Sequence, residues 1–149
     1  MKPLPIVWRR LVKDGETCDR CGGTYAELQR ALSKLQAALR PLGIEPRLET
    51  QEIDEAAFRV EPLESNRIWI GGRPLEDWLG ATAGRTRCCA ACGDADCRTV
   101  EVGGRVFETI PENLIVRAAL LAAAAIDEAP PAAGSTCCVP AAGESRQAE

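Results

Sequence analysis

Thr17-Cys18-Asp19-Arg20-Cys21-Gly22-Gly23-Thr24-Tyr25-Ala26-Glu27-Leu28 contains a C-x-x-C-G unit and runs directly into a helical pattern. Thr24 and Glu27 have the spacing of a capping box, in which each side chain satisfies a backbone amide of the first turn. Leu28, Leu32, Leu35, Leu39 and Leu42 follow on one stripe, the mark of a helix with one buried face. The spacing predicts a helix over 24–40, ended by Pro41 and Gly43. Upstream, Ile6-Val7-Trp8 within 4–12 is a short apolar run near prolines and predicts a buried strand. A strand, a C-x-x-C and a helix in that order predict an α/β domain.

The rest of the chain extends that pattern. Residues 46–53 are heavily charged and predict an edge strand. Residues 54–58 predict a short helix, and 66–70 a second strand that turns at Gly71-Gly72. Residues 74–79 read as loop or a helical turn around Trp78. A Gly-Gly turn at 103–104 between alternating runs predicts a hairpin of 98–102 with 105–110. Pro111 suits the first position of a final helix, with Leu114, Ile115, Ala118, Leu121 and Ala122 as its apolar face, stopped by Pro130-Pro131. The expected organisation is one domain over 1–128, with a cysteine-rich loop insertion at about 81–97. A flexible Ala/Pro/Gly/Ser-rich tail over 129–149 follows.

The chemistry of the chain lies in its eight cysteines. A second C-x-x-C-G unit, Cys89 to Gly93, sits in the cluster Cys88-Cys89-Ala90-Ala91-Cys92-Gly93-Asp94-Ala95-Asp96-Cys97, and Cys137-Cys138 stands in the tail. The chain has no histidine, which removes the commonest general base and the commonest nitrogen ligand. A net charge of −4 without a basic run argues against nucleic acid as a partner. The start lacks a signal-like apolar segment, and the longest apolar run, 118–126, is too short to span a bilayer. The expectation is a cytoplasmic protein without a membrane partner, in which cysteines serve as metal ligands or reactive thiols. Trp8, Trp69 and Trp78 are expected in the core. Glu16, Glu76 and Asp77 have no evident partner.

Three readings stay open. Cys18, Cys21, Cys89 and Cys92 have the form of two metal knuckles and would supply four thiolates to zinc, iron or another soft ion. Cys88 and Cys97 would be auxiliary, and Cys89-x2-Cys92-x4-Cys97 alone has a spacing compatible with an iron–sulfur cluster. Cys137 and Cys138 would capture a thiophilic ion or metalloid such as arsenite or mercury. The first reading is therefore metal handling or sensing, with a metal or metalloid ion and a redox or metal-transfer protein as partners. In the second, the chain is a thiol–disulfide oxidoreductase with Cys18 as the attacking thiolate, Cys21 as the resolving thiol, and Lys13 and Arg20 as candidate cations. A helix that starts only near Thr24 would contribute little dipole to Cys18. In the third, the cysteines hold a structural zinc in an interaction module.

The element order resembles the thioredoxin fold over roughly residues 4–126, with a small mixed sheet of about four strands and flanking helices. The resemblance implies a C-x-x-C after the first strand, as Cys18 and Cys21 stand. It departs where that fold carries a proline facing the C-x-x-C, because the place reads Ser65-Asn66. More closely, the chain resembles an uncharacterised bacterial and archaeal family, the domain of unknown function 2703. Glu16-Thr17-Cys18-x-x-Cys21-Gly22, 62–70, 74–80 and 97–102 carry that resemblance. It implies a fold and no known activity.

Overall fold

A computed structural model of the chain describes residues 1–87 and 96–126. β1 (Lys2–Leu11), α1 (Asp19–Leu39) and β2 (Ile44–Ile53) form a β–α–β unit whose two strands are parallel and in register from Lys2↔Ile44 to Leu11↔Ile53. α2 (Glu55–Val60) follows, capped by the Asp54 side chain, which accepts from the Ala57 amide at 2.8 Å. β3 (Arg67–Ile70) then pairs antiparallel with β1, Val7 opposite Trp69. β4 (Arg73–Pro74) pairs with β3 around Gly71 and Gly72. Both glycines have positive φ, +59° and +80°, as a two-residue hairpin turn requires. The sheet is mixed, in the order β2-β1-β3-β4, and β2 is the edge strand its charge predicts.

β1 is central yet contains Pro3 and Pro5. The Lys2 amide donates toward the β2 side, to the Gly43 carbonyl, while the Pro5 carbonyl accepts from Gly71 on the β3 side. Groups of odd-numbered residues therefore face β3, whose ladder begins only at Ile6. Proline costs no ladder bond there.

One face of the sheet carries the core. Leu4, Ile6 and Trp8 are buried at alternate positions, against Leu28, Ala31, Leu35 and Leu39 of α1. The predicted leucine stripe holds except at its end. Leu42 is 60% exposed, because the chain leaves α1 through a single 3-10 turn and reverses at Gly43, φ +68°. α4 (Glu112–Ile126) packs beside α1 with Leu114, Ile115, Ala118, Ala119, Ala122 and Ala123 buried. Leu121, expected on that face, is 45% exposed; small alanines let the two helices approach closely instead.

Three further expectations are corrected. Residues 81–97 are not all loop: β5 (Thr82–Arg87) pairs antiparallel with β6 (Asp96–Val102). Thr, Arg and Gly give β5 no hydrophobic signature, and its strand form comes from pairing alone. β6 and β7 (Arg105–Phe107) make the expected Gly103-Gly104 hairpin, but it joins β5 in a separate three-stranded sheet. Third, α1 begins at Asp19, not near Thr24. Thr24 is not a cap; its hydroxyl accepts from the Ile110 amide at 3.1 Å, and Glu27 Oε2 accepts from the Glu112 amide at 2.7 Å. The apparent capping box of α1 therefore holds the start of α4 through tertiary bonds. α3 (Leu75–Leu79) is the expected turn around Trp78, whose indole donates to the Ile70 carbonyl at 2.8 Å.

Glu76 and Arg98 supply the join between the two sheets. Arg98 Nε and Nη2 donate to Glu76 Oε1 at 3.0 and 2.9 Å, and Nη1 donates to the Leu63 carbonyl at 2.9 Å. Both residues are 5% exposed. Glu76, which the sequence leaves without a partner, is thus half of a buried ion pair. Trp69 departs from the core role: it lies half-buried between the guanidinium groups of Arg9 and Arg67, 4.8 and 4.6 Å from its ring centre.

Removing one partner of a buried ion pair leaves an uncompensated charge, so Glu76→Ala is expected to cost about 3–5 kcal/mol. Urea denaturation measures this, and a loss under ~1 kcal/mol, the level of an exposed pair, would contradict the burial. Thr24→Val leaves the Ile110 amide without its acceptor and is expected to cost about 1–3 kcal/mol in the same titration.

Candidate functional site

Cys18 is the N-cap residue of α1, in extended backbone (φ −73°, ψ 163°), and its carbonyl accepts from the Gly22 amide at 2.8 Å. The C-x-x-C therefore occupies the first turn of a 21-residue helix. Amides of that turn have no partners within the helix and carry the positive end of its dipole. Such a position favours a thiolate. Glycines at 22 and 23 do not delay the helix. Gly23 lies where a β-carbon would come within 3.0 Å of the Thr109 methyl, so its lack of a side chain lets the chain before α4 lie against this turn.

Both thiols are buried, Cys18 at 6% and Cys21 at 2% exposure, and no disulfide joins them. Cys21 Sγ stands 3.6 Å from Ser65 Oγ, which also accepts the Leu11 amide at 3.0 Å. The Thr17 hydroxyl donates to the Leu11 carbonyl at 3.0 Å. Cys21 is pushed well above its ordinary thiol range, first by its hydrogen bond to Cys18, then by burial, then by the charge on Cys18. Ser65 and Thr17 oppose this by hydrogen bonding to its sulfur. The arrangement holds a proton on Cys21 and aims it at Cys18.

The two candidate cations behave differently. Lys13 Nζ pairs with Glu55 Oε1 at 3.1 Å, at the surface. Arg20, between the cysteines, reaches the end of β5. It donates to the Thr86 hydroxyl at 2.6 Å and to the carbonyls of Thr86 and Arg87 at 3.5 and 3.1 Å. It also faces Glu108 at 3.5 Å. Arg20 thereby fastens β5, one residue before position 88, to the first turn of α1.

Cys97 is opposite Thr86 in the β5–β6 ladder and is buried with Leu11 and Phe58. It is disulfide-bonded, a form in which it offers no thiolate to a metal. Cys88, Cys89, Cys92, Cys137 and Cys138 lie outside the described residues. Among the described residues, no group of three or more Cys, Asp, Glu or His side chains converges as a metal site. Cys18 and Cys21 supply two soft donors, half of a tetrahedral thiolate set. Asp96, at the start of β6, is exposed. Among the described residues, no helix is long and apolar enough to cross a membrane.

Ser65, Thr17 and Asn66 are the site residues that spacing did not reveal. Asn66 has φ +62°, a left-handed backbone that asparagine tolerates, and it is fixed by the Trp8 indole and by the Glu108 carbonyl at 3.1 and 3.2 Å. The signal for Ser65 was its place before β3, where the resembling fold puts a residue facing the C-x-x-C.

Unfolded, Cys21 ionises as the pH passes its ordinary value of 9.0; folded, it keeps its proton. The native state then binds more protons than the unfolded one, so stability is complete below that pH and falls above it. The expected slope is at most about 1.4 kcal/mol per pH unit. Urea titrations at rising alkaline pH should show a shallower slope for Cys21→Ala than for wild type, and an equal slope would refute the held proton.

The family model for the domain of unknown function DUF2703 matches residues 4–119. A protein of Archaeoglobus fulgidus, described as an uncharacterized protein, is 44% identical over 112 residues, covering 75% of this chain and 82% of its own. No solved structure matches the chain. The chain belongs to the DUF2703 domain family.

Proposed function

We propose that the chain is a thiol–disulfide oxidoreductase with a thioredoxin-like core, in which Cys18 attacks and Cys21 resolves. The observation that carries this reading is that Cys18 stands at the N-cap position of α1 while Cys21 holds a proton against it. A C-x-x-C beside a β–α–β unit has the form of a thioredoxin-like redox motif, and the sheet order β2-β1-β3-β4 gives that unit its parallel pair.

The Cys18 thiolate attacks one sulfur of a substrate disulfide. That S–S bond breaks, and the first substrate half leaves as a thiolate while a mixed disulfide forms on Cys18. The Cys21 proton passes to the departing thiolate. The Cys21 thiolate then attacks Cys18 Sγ, breaking the mixed disulfide, and the second half leaves as a thiolate. Two electrons move from the dithiol to the substrate. A dithiol reductant in excess returns Cys18 and Cys21 to the reduced form. Ser65, whose hydroxyl stands 3.6 Å from Cys21 Sγ, stabilises its transient thiolate.

A second reading keeps the pair as ligands for a thiophilic metal or metalloid, completed by thiolates from Cys89 and Cys92. The Arg20 clamp favours it, since it brings the β5 end next to the pair. Zinc, iron or an arsenite-type ion would suit such donors, in a structural or a handling role.

With a small disulfide and excess dithiothreitol, Cys18→Ser is expected to abolish turnover. Incubated with the disulfide in the absence of dithiothreitol, Cys21→Ser is expected to accumulate a mixed disulfide on Cys18, visible as an added mass. Unchanged turnover in Cys18→Ser would sink the exchange reading. Metal analysis of anaerobically purified protein checks the second reading: about one metal per chain, with roughly four thiols masked until denaturation, would move the assignment to a thiolate site.

A further inference from the structure

A cavity of about 160 Å³ is lined by Trp8, Arg10, Thr17, Gly22, Tyr25 and Thr50. Thr17 precedes Cys18 and Gly22 follows Cys21, so one wall of the cavity is the chain that frames the C-x-x-C. The opposite wall is β1 and the edge strand β2. Trp8 stacks on Tyr25 with ring centres 5.4 Å apart, and the Arg10 guanidinium lies 4.8 Å over the Trp8 ring. The walls are therefore aromatic, with two threonine hydroxyls and one cation.

Arg10 is incompletely satisfied. Its Nη2 reaches Glu52 Oε1 at 3.4 Å, a long contact to a carboxylate that is itself 64% exposed. Its Nη1 is buried and has no hydrogen-bond partner. The guanidinium is thus held by one long ion pair, and a carboxylate in the cavity would add a charge-assisted hydrogen bond to it. A planar carboxylate fits the guanidinium fork. The volume is below that of sites for drug-sized ligands, so it suits a carboxylate with a short chain.

We propose that this cavity binds the carboxylate of a low-molecular-weight thiol or its disulfide, with Arg10 receiving the charge. The role of that ligand as exchange partner rests on the oxidoreductase reading; the binding does not. Thr17 and Gly22 of the cavity wall flank Cys18 and Cys21 in the chain, so the thiol end of a ligand held by Arg10 would lie against the segment that carries the pair. Attack by Cys18 then becomes a step within one complex, with the orientation already set.

The test uses the full reduced chain, labelled with nitrogen-15, and follows the Trp8 indole resonance. Two probes are titrated: 3-mercaptopropionate and 3-mercaptopropionamide, which share the thiol and differ in charge. The acid is expected to give a saturable shift, and the amide at least ~10-fold weaker binding, the ratio that one charge-assisted hydrogen bond supports. Arg10→Gln is expected to weaken the acid by the same factor. The wild-type comparison of the two probes stands even if Arg10→Gln fails to fold. Equal binding of acid and amide, or no saturable shift with the acid, overturns the proposal. Saturable, Arg10-dependent binding in a chain that shows no disulfide turnover supports the cavity as a carboxylate site and removes only the exchange reading.

Discussion

Ser65 Oγ accepts the Leu11 amide at 3.0 Å and stands 3.6 Å from Cys21 Sγ. One buried hydroxyl, 44 residues from the cysteine it touches, ties the end of the central strand to the first turn of the main helix. Thr17 reinforces it from the other side by donating to the Leu11 carbonyl. The position of the two thiols follows from this knot. They enter α1 at a point fixed to β1 and to the chain before β3, and burial there excludes the water that would otherwise compete for their hydrogen bonds.

Other tertiary ties meet at the same turn. Thr24 and Glu27 hold the start of α4, Arg20 holds the end of β5, and Gly23 leaves room for Thr109. The helix is thus positioned from several parts of the chain at the end that carries the cysteines, while its far end needs only the apolar stripe. Buried polar bonds of this kind specify geometry more than they add stability, because each replaces bonds to water. Their effect on chemistry is larger. The first turn of α1 thus holds Cys18 at its N-cap position and keeps Cys21 protonated beside it.

The Arg98–Glu76 pair performs the corresponding task between the sheets. β6 carries Arg98 to Glu76 of α3 and to the Leu63 carbonyl, so the small sheet is fixed to the segment that precedes β3 and includes Ser65. The Arg20 contacts fix the same sheet at its β5 end. The cysteine-rich stretch therefore departs from and returns to a hairpin anchored at two places. Arg10 takes no part in these ties; among the described residues its Nη1 is buried without a hydrogen-bond partner, as are Arg20 Nε, Arg67 Nε and Glu76 Oε2.

Period and composition alone determined the β–α–β unit, the edge character of β2, the Gly-Gly turns and the final helix. Those signals are local: alternation, a leucine stripe, and glycines where φ must be positive. The cysteine pair and its chemical class were legible because few other residues in the chain can act as nucleophiles or soft ligands. The start of α1 was not legible, because Thr24-x-x-Glu27 has the same spacing whether it caps its own helix or receives the amides of another. β5 was not legible either, since a strand of Thr, Ala, Gly and Arg is stabilised only by its partner β6. Nor was the buried partnership of Glu76 with Arg98, or the place of Ser65 against Cys21. Each joins residues more than twenty positions apart, and such contacts exist only once the sheets and helices have packed.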